Sequence, residues 1–315
     1  MSLPLTLAAL ALAAGLALLL QARSVGRTGT AEAALAHERL RLAAAEAARG
    51  ALAVLAADGD LAVDSLDEDW AQPMEWSLED GIAAWARIED AGRFFCWNNL
   101  AASNAPGRAQ RDILMDLLTC CGDFTPVVRA EALADFTDAD GNGAYEASFY
   151  AAEDPPSAPA DRPLWAPAEL FRVHGFSGEL FRAVGKEGRR TEAFSGDLAA
   201  STALVPTGPG EGIIPVNVNT AGREVLTGVS GLQHESAVRA VLALRQERPF
   251  RSLATVFAAH PEWAAELEGV VGTASSFFRV RAEASLEGAG TATATAWVKR
   301  SENGDLEILQ WIWNL

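Results

Sequence analysis

From Leu3 to Leu20 the chain reads LPLTLAALALAAGLALLL, an apolar run without a charge. At about 1.5 Å per helical residue it nearly crosses a hydrocarbon core of roughly 30 Å. The pattern predicts a transmembrane helix over residues 1–22. A cleaved signal peptide is the competing reading, opposed by the length of the run, the lack of a basic n-region and the lack of a clean A-x-A site. Beyond it, Thr30 to Ala57 contains no proline and only Gly50, and Leu35, Leu42, Ala45, Leu52 and Leu55 recur seven, three, seven and three apart. That spacing predicts one apolar stripe on a helix, with Glu32, Glu38, Arg39, Arg41 and Glu46 on its other faces. A spanning half thus runs into an amphipathic half that needs something to pack on. The alternative is a short anchor followed by a separate first helix.

Alternation with a period of two appears at both ends of what remains. MEWSL and GIAAWARIED, around Glu79, Asp80 and Gly81, predict a β-hairpin ending near Asp90. Phe277–Leu286, Thr291–Arg300 and Leu306–Asn314 predict an antiparallel meander, with EGAG and an Asn303-Gly304 turn between the strands. The intervening stretch is rich in helices and loops and is broken by DPPSAPADRP and PTGPGEG. Strands at both ends around a helical unit imply that the terminal strands pair across an insertion and cover the outer half of the long helix. The expectation is therefore an α+β fold of pilin-like layout: a long N-terminal helix on an antiparallel sheet, with a large inserted helical domain. Its divisions fall at 1–22 (spanning helix), 23–97 (amphipathic helix and first strands), 98–272 (insertion) and 273–315 (closing strands).

Charge narrows the partners. With 42 acidic against 25 basic residues the formal net charge is −17, a field that repels phosphate backbones and favours cations. Cys96, Cys120 and Cys121 form no CxxC pair and the four histidines are scattered, which disfavours a zinc cage. Cys96 bonded to Cys120 or Cys121 and three buried free thiols both remain open. There is no GxSxG, HExxH, Walker A or GxGxxG motif, and Ser195 has no histidine at an informative spacing, so no enzyme is expected. The tryptophans at 70, 76, 85, 297, 311 and 313 fall in or near strands and are expected in the core rather than on a sugar-binding surface.

Two segments carry candidate chemistry. In LADFTDADGNGAYE, the side chains of Asp135, Asp138, Asp140, Asn142 and Glu146 offer hard oxygens around a glycine-containing turn, a donor set suited to a structural calcium ion. The twelfth position of an EF-hand loop counted from Asp138 is Phe149, so the site predicted is not an EF-hand, and Glu153 or Asp154 could add an oxygen. A solvated acidic turn is the alternative. The second segment, IPVNVNTAGREVLTGVSGLQHESAVRAVLALRQERPFRSLATVF, predicts two amphipathic helices resembling a helix-hairpin-helix (SAM-like) unit. Asn219 and Thr220 are placed as caps, and Val225, Leu226, Val238, Val241, Leu242 and Leu244 as apolar faces. Its turn offers only Gly231 where DNA-binding versions are glycine-rich. A protein-packing module is expected, with Arg239, Arg245, Arg248 and Arg251 as the phosphate contacts of the DNA-binding alternative.

In order along the chain, the apolar helix, DAGRF with Asn98-Asn99-Leu100, the acidic turn, RPLWAPAELFRVHGF, PVNVNTAGREVL, RPFRS, SSFFRV and the closing W-x-W strand resemble the minor pseudopilin of type II secretion called general secretion pathway protein K. The resemblance covers most of the chain. It implies a place at the tip of a periplasmic pseudopilus, calcium at the acidic turn, and assembly with other minor pseudopilins through their helices. It also implies a single-pass anchor in the inner membrane with the body in the periplasm, and a role in protein export with secreted cargo as a further partner. An envelope DNA receptor and a type IV pilus assembly subunit are the alternative functions. The family usually opens with a basic leader ending in glycine and cut by prepilin peptidase, whereas no Lys or Arg precedes Leu3 here. Its FNLNNL-like segment reads FFCWNNL in this chain.

Overall fold

The computed structural model describes residues 32–102, 107–177, 198–207 and 212–314. The predicted spanning helix over residues 1–22 lies outside them, and among the described residues no helix is long and apolar enough to cross a membrane. Helix α1 occupies residues 32–56. After a connector, strands β1 (Met74–Ser77) and β2 (Ala83–Asp90) form the expected hairpin, with Met74 opposite Ala86. The expected meander is also present as β7 (Phe277–Leu286), β8 (Gly290–Arg300) and β9 (Leu306–Asn314). All five strands join one antiparallel sheet in the order β1-β2-β7-β8-β9, and β2 pairs with β7 from Ala83↔Ser285 to Asp90↔Phe278. The chain thus leaves the sheet after β2 and returns to its neighbour.

Helix α1 lies on this sheet through an alanine-rich face. Leu40, Ala44, Ala47, Ala48, Ala51 and Leu55 are buried against Ala84, Ala86 and Ile88 of β2 and Ala282, Ala294 and Ala296 of the meander. Small side chains on both surfaces let backbones approach closely, so the helix gains from many short contacts rather than a few large knobs. This corrects the predicted stripe. Leu55 and Ala45 are buried and Leu52 is partly so, but Leu35 and Leu42 are each 63% exposed on the opposite side. A leucine-based period pointed to the wrong face because the buried face is made of alanine, whose weak apolarity hides it in a helix this rich in alanine. The flank is closed by Trp311 and Trp313 of β9, whose rings stack 5.7 Å apart, with Arg41 over the Trp313 ring at 4.9 Å. Trp70 and Trp297 are also buried, whereas Trp85 is partly exposed.

Between β2 and β7 lies the helical unit. In chain order it contains β3 (Phe95–Cys96), α2 (Gln110–Cys120), α3 (Pro126–Thr137), α4 (Ala147–Ala151), α5 (Leu198–Ser201) with β4 (Thr202–Ala203), and β5 (Val216–Asn217). It continues through α6 (Arg223–Ser230), α7 (Glu235–Glu247), α8 (Leu253–Ala259), α9 (Trp263–Glu266) and β6 (Val271–Gly272). It has a hydrophobic core of its own, including Leu114, Leu117, Leu118, Leu133, Phe136 and Val225. Helices α2 and α6 cross at Gly228, where a Cβ would stand 2.8 Å from that of Leu117, so only glycine permits this approach. No disulfide joins Cys96, Cys120 and Cys121; Cys96 packs in a small third cluster and Cys121 in the helical core.

Buried polar groups fasten the insertion to the sheet. At the end of β2, Asp90 accepts hydrogen bonds from the Gly92 N–H at 2.6 Å, from Asn217 Nδ2 at 2.9 Å and from the Thr220 hydroxyl. Asn217 also donates to the Asp64 carbonyl at 3.0 Å, and Arg300 at the end of β8 bridges Asp58 at 2.8 Å and Asp64 at 2.5 Å. Asn98 and Asn99 do the same work elsewhere. Asn98 clasps Leu164 through its N–H and carbonyl, and Asn99 clasps Ile214 in the same way. Such two-sided amide clasps satisfy loop backbone that would otherwise be buried without partners.

Candidate metal centre

Helix α3 ends at Thr137 and the acidic turn follows. Carboxylate oxygens of Asp138, Asp140 and Glu146 come within 4.8 Å of one another, so three of the five sequence-predicted ligands converge. Asp135, one turn back on α3, holds the loop: its Oδ2 accepts the Tyr145 N–H at 2.9 Å. Gly143 packs against that carboxylate so closely that a Cβ there would collide with it. Asn142 gives its backbone N–H to Asp140 Oδ1 at 2.8 Å, and its residue is exposed. Glu153 is directed elsewhere, with its carboxylate 3.3 Å from His174 Nδ1. Phe149, at the position where an EF-hand carries its bidentate glutamate, packs edge-on to Tyr145 and His174.

Three features suit this donor set to a hard cation. Asp138 Oδ1 and Glu146 Oε1 are buried without a hydrogen-bond partner, an arrangement that costs free energy unless a proton or an ion meets it. Burial, together with the Asp140 and Asp135 carboxylates, pushes the Asp138 carboxyl above its ordinary range. Burial and then Asp135 and Asp138 do the same to Glu146. Asp161 adds to both fields; its N–H binds the Phe136 carbonyl at 3.1 Å, and it takes a left-handed backbone. Sequence reasoning missed Asp161 because it lies inside the proline-rich linker, away from the turn in sequence, where nothing local marks it as a partner of these acids.

Because both folded carboxyls sit above their unfolded values, this group of acids stabilises the metal-free protein at low pH and loses that contribution as pH rises through the folded values. A calcium ion held by these carboxylates would restore it. At calcium about a hundredfold above its dissociation constant the gain is about 2.7 kcal/mol. It should be visible in denaturant unfolding at neutral pH, shrink on acidification, and vanish with a chelator.

The helix-hairpin-helix-like segment departs from expectation at its caps. The residue before α6 is Gly222, with no side-chain cap. Asn219 instead accepts the Phe250 N–H at 2.7 Å and donates to the Phe250 carbonyl at 3.0 Å, and Thr220 is spent on Asp90. Val225, Leu226, Val238 and Val241 are buried as expected, while Leu242 is partly so and Leu244 is exposed. In the turn, the Gly231 and His234 N–H groups bond to Thr227 and Gly231 carbonyls. Arg245 reaches the Val218 and Ala221 carbonyls at 2.8 and 2.7 Å, and Arg251 pairs with Asp60 at 2.9 Å. These groups hold the chain together.

A long helix on an antiparallel sheet, interrupted between its second and third strands by a helical unit with its own core, defines a pilin-like protein with an inserted domain. No family model matches the chain. Over 129 residues it is 26% identical to a protein of Escherichia coli strain K12 described as putative type II secretion system protein K, a match spanning 38% of this chain and 39% of that relative. A chain of the crystal structure of the GspK-GspI-GspJ complex from the enterotoxigenic Escherichia coli type 2 secretion system aligns with a TM-score of 0.67 at 18% identity. That alignment covers 93% of this chain and 99% of the other. Both matches are to proteins of type II secretion systems: one is described as protein K, and the other is a chain of a complex that contains GspK.

Proposed function

We propose that this chain is a minor pseudopilin of type II secretion that joins other minor pseudopilins at the tip of the pseudopilus and serves protein export from the inner-membrane side of the envelope. The observation that carries the reading is the likeness to a chain of the GspK-GspI-GspJ complex over 93% of this chain, insertion included. The exposed leucines of α1 give it a surface. Leu35 and Leu42 project from the side of the helix that the sheet does not cover, seven residues apart, the spacing at which a neighbouring helix meets successive knobs. The acidic turn has a structural part in this reading, with a calcium ion fixing the loop after α3.

The test is light scattering after size-exclusion chromatography on the full chain in detergent with calcium, alone, with minor pseudopilins encoded in the same genome, and with duplex DNA. A heteromeric complex and no DNA shift is the expected result; a persistent monomer with a salt-sensitive DNA complex would overturn it in favour of an envelope DNA receptor. Leu42→Glu should weaken the complex by about tenfold or more, since a charge replaces a side chain whose burial is worth about 1.5–3 kcal/mol. The isolated variant should unfold like the parent, because the site is exposed.

A further inference from the structure

The connector between α1 and β1 carries a second gathering of acids, remote in sequence from the turn after α3. Asp58, Asp64 and Glu68 each offer a carboxylate oxygen within 4.8 Å of the others. Arg300 reaches into this group and bonds Oδ2 of both Asp58 and Asp64. The Ser275 N–H also bonds Asp64 Oδ2, at 2.6 Å, and Trp70 Nε1 donates to Glu68. Asp58 Oδ1 accepts the Asp60 N–H at 3.0 Å. One atom is left out: Asp64, with its side chain 0% exposed, has Oδ1 buried and without any partner.

We propose that Asp58, Asp64 and Glu68 form a second divalent-cation site, for a hard ion such as calcium, at the seam where the connector meets the end of β8. Three carboxylates and one guanidinium leave two formal negative charges, which one divalent ion balances. All the donors are oxygens, and they stand close enough to share an ion with water completing its shell. Arg300 is already committed to the Oδ2 atoms, so the orphaned Oδ1 is the atom that calls for a further cation. The ion would tie the connector to the strand from which Arg300 extends, and through Asn217 and the Asp64 carbonyl to the insertion.

Terbium can stand in for calcium, and Trp70 is bonded to one proposed ligand, so terbium luminescence excited through tryptophan reports on this place. The full chain in detergent is first given Asp138→Asn and Glu146→Gln together, which disables the acidic turn. Terbium emission that saturates near one ion per chain, is displaced by calcium, falls at least tenfold in affinity on adding Glu68→Gln, and dims in Trp70→Phe while calcorimetric binding persists is the expected result. Gln can still accept from Trp70, and circular dichroism checks that each variant is folded. Absence of binding in the double variant, or binding indifferent to Glu68→Gln, would overturn the proposal and leave Asp64 Oδ1 to a proton. The outcome does not depend on whether the chain assembles with other pseudopilins.

Discussion

Arg300→Ala should cost about 3–5 kcal/mol of unfolding free energy, the range for removing one member of a buried ion pair. The side chain is 3% exposed, lies against two carboxylates, and bonds the Ser275 carbonyl at 3.0 Å. Truncation leaves Asp64 facing Asp90 without a cation. The Asp64 carboxyl is pushed up from 3.8 to about 7, by burial first, with Arg300 and the Ser275 N–H pulling down and Asp90 pushing up. Its folded value exceeds its unfolded one, so its contribution to stability is fully present below about 3.8 and is lost as pH rises through about 7. The deficit of Arg300→Ala should therefore be larger above pH 7 than near pH 4, because a protonated Asp64 needs no counter-ion. Adding Asp64→Asn should recover part of the loss at high pH and little at low pH. Denaturant unfolding of the three variants across that range is the check, and a deficit independent of pH would show that Arg300 acts by packing alone.

Phe136→Ala should cost about 3–5 kcal/mol, as for other fully buried phenylalanines. Its ring is 0% exposed, edge-on to Tyr150 at 5.4 Å, with Arg172 over it at 5.6 Å. Its carbonyl accepts the N–H groups of Ala160 at 2.9 Å and Asp161 at 3.1 Å. The residue thus sits between Asp135 and Asp138 and anchors the strand of loop that brings Asp161 alongside them. A cavity at this point loosens the end of α3 as well as the core, so the calcium affinity of the site proposed at the acidic turn should fall by about tenfold with no ligand removed. Leu244→Ala is the matched control: that leucine is exposed on α7, and its loss should change stability by no more than about 0.5 kcal/mol. Unfolding curves with and without calcium distinguish the two effects.

What the sequence by itself determined was everything governed by local period and local turn chemistry. The alternation in Ala83–Asp90 and Phe277–Leu286 gave strands because every second residue is apolar, and the Asn303-Gly304 turn closed the last hairpin. The crowding of oxygens between Asp135 and Glu146 was legible because those donors lie within one short stretch, and Asp138, Asp140 and Glu146 do converge. Tertiary structure decided what depended on distant partners. Which face of α1 is buried was set by alanines on the sheet rather than by the leucine period, and this put Leu35 and Leu42 outside. Asn219 and Thr220 looked like caps because their side chains suit caps, yet Phe250 and Asp90 took them, since a buried carboxylate and a buried loop backbone demand partners more strongly than a helix end does. The meeting of Asp58, Asp64 and Glu68 with Arg300 joins residues more than two hundred positions apart; no period or motif encodes it, and it depends on the chain returning after the insertion, where the Asp64 N–H bonds the Thr273 carbonyl at 2.8 Å just before β7 and β8 bring Arg300 alongside.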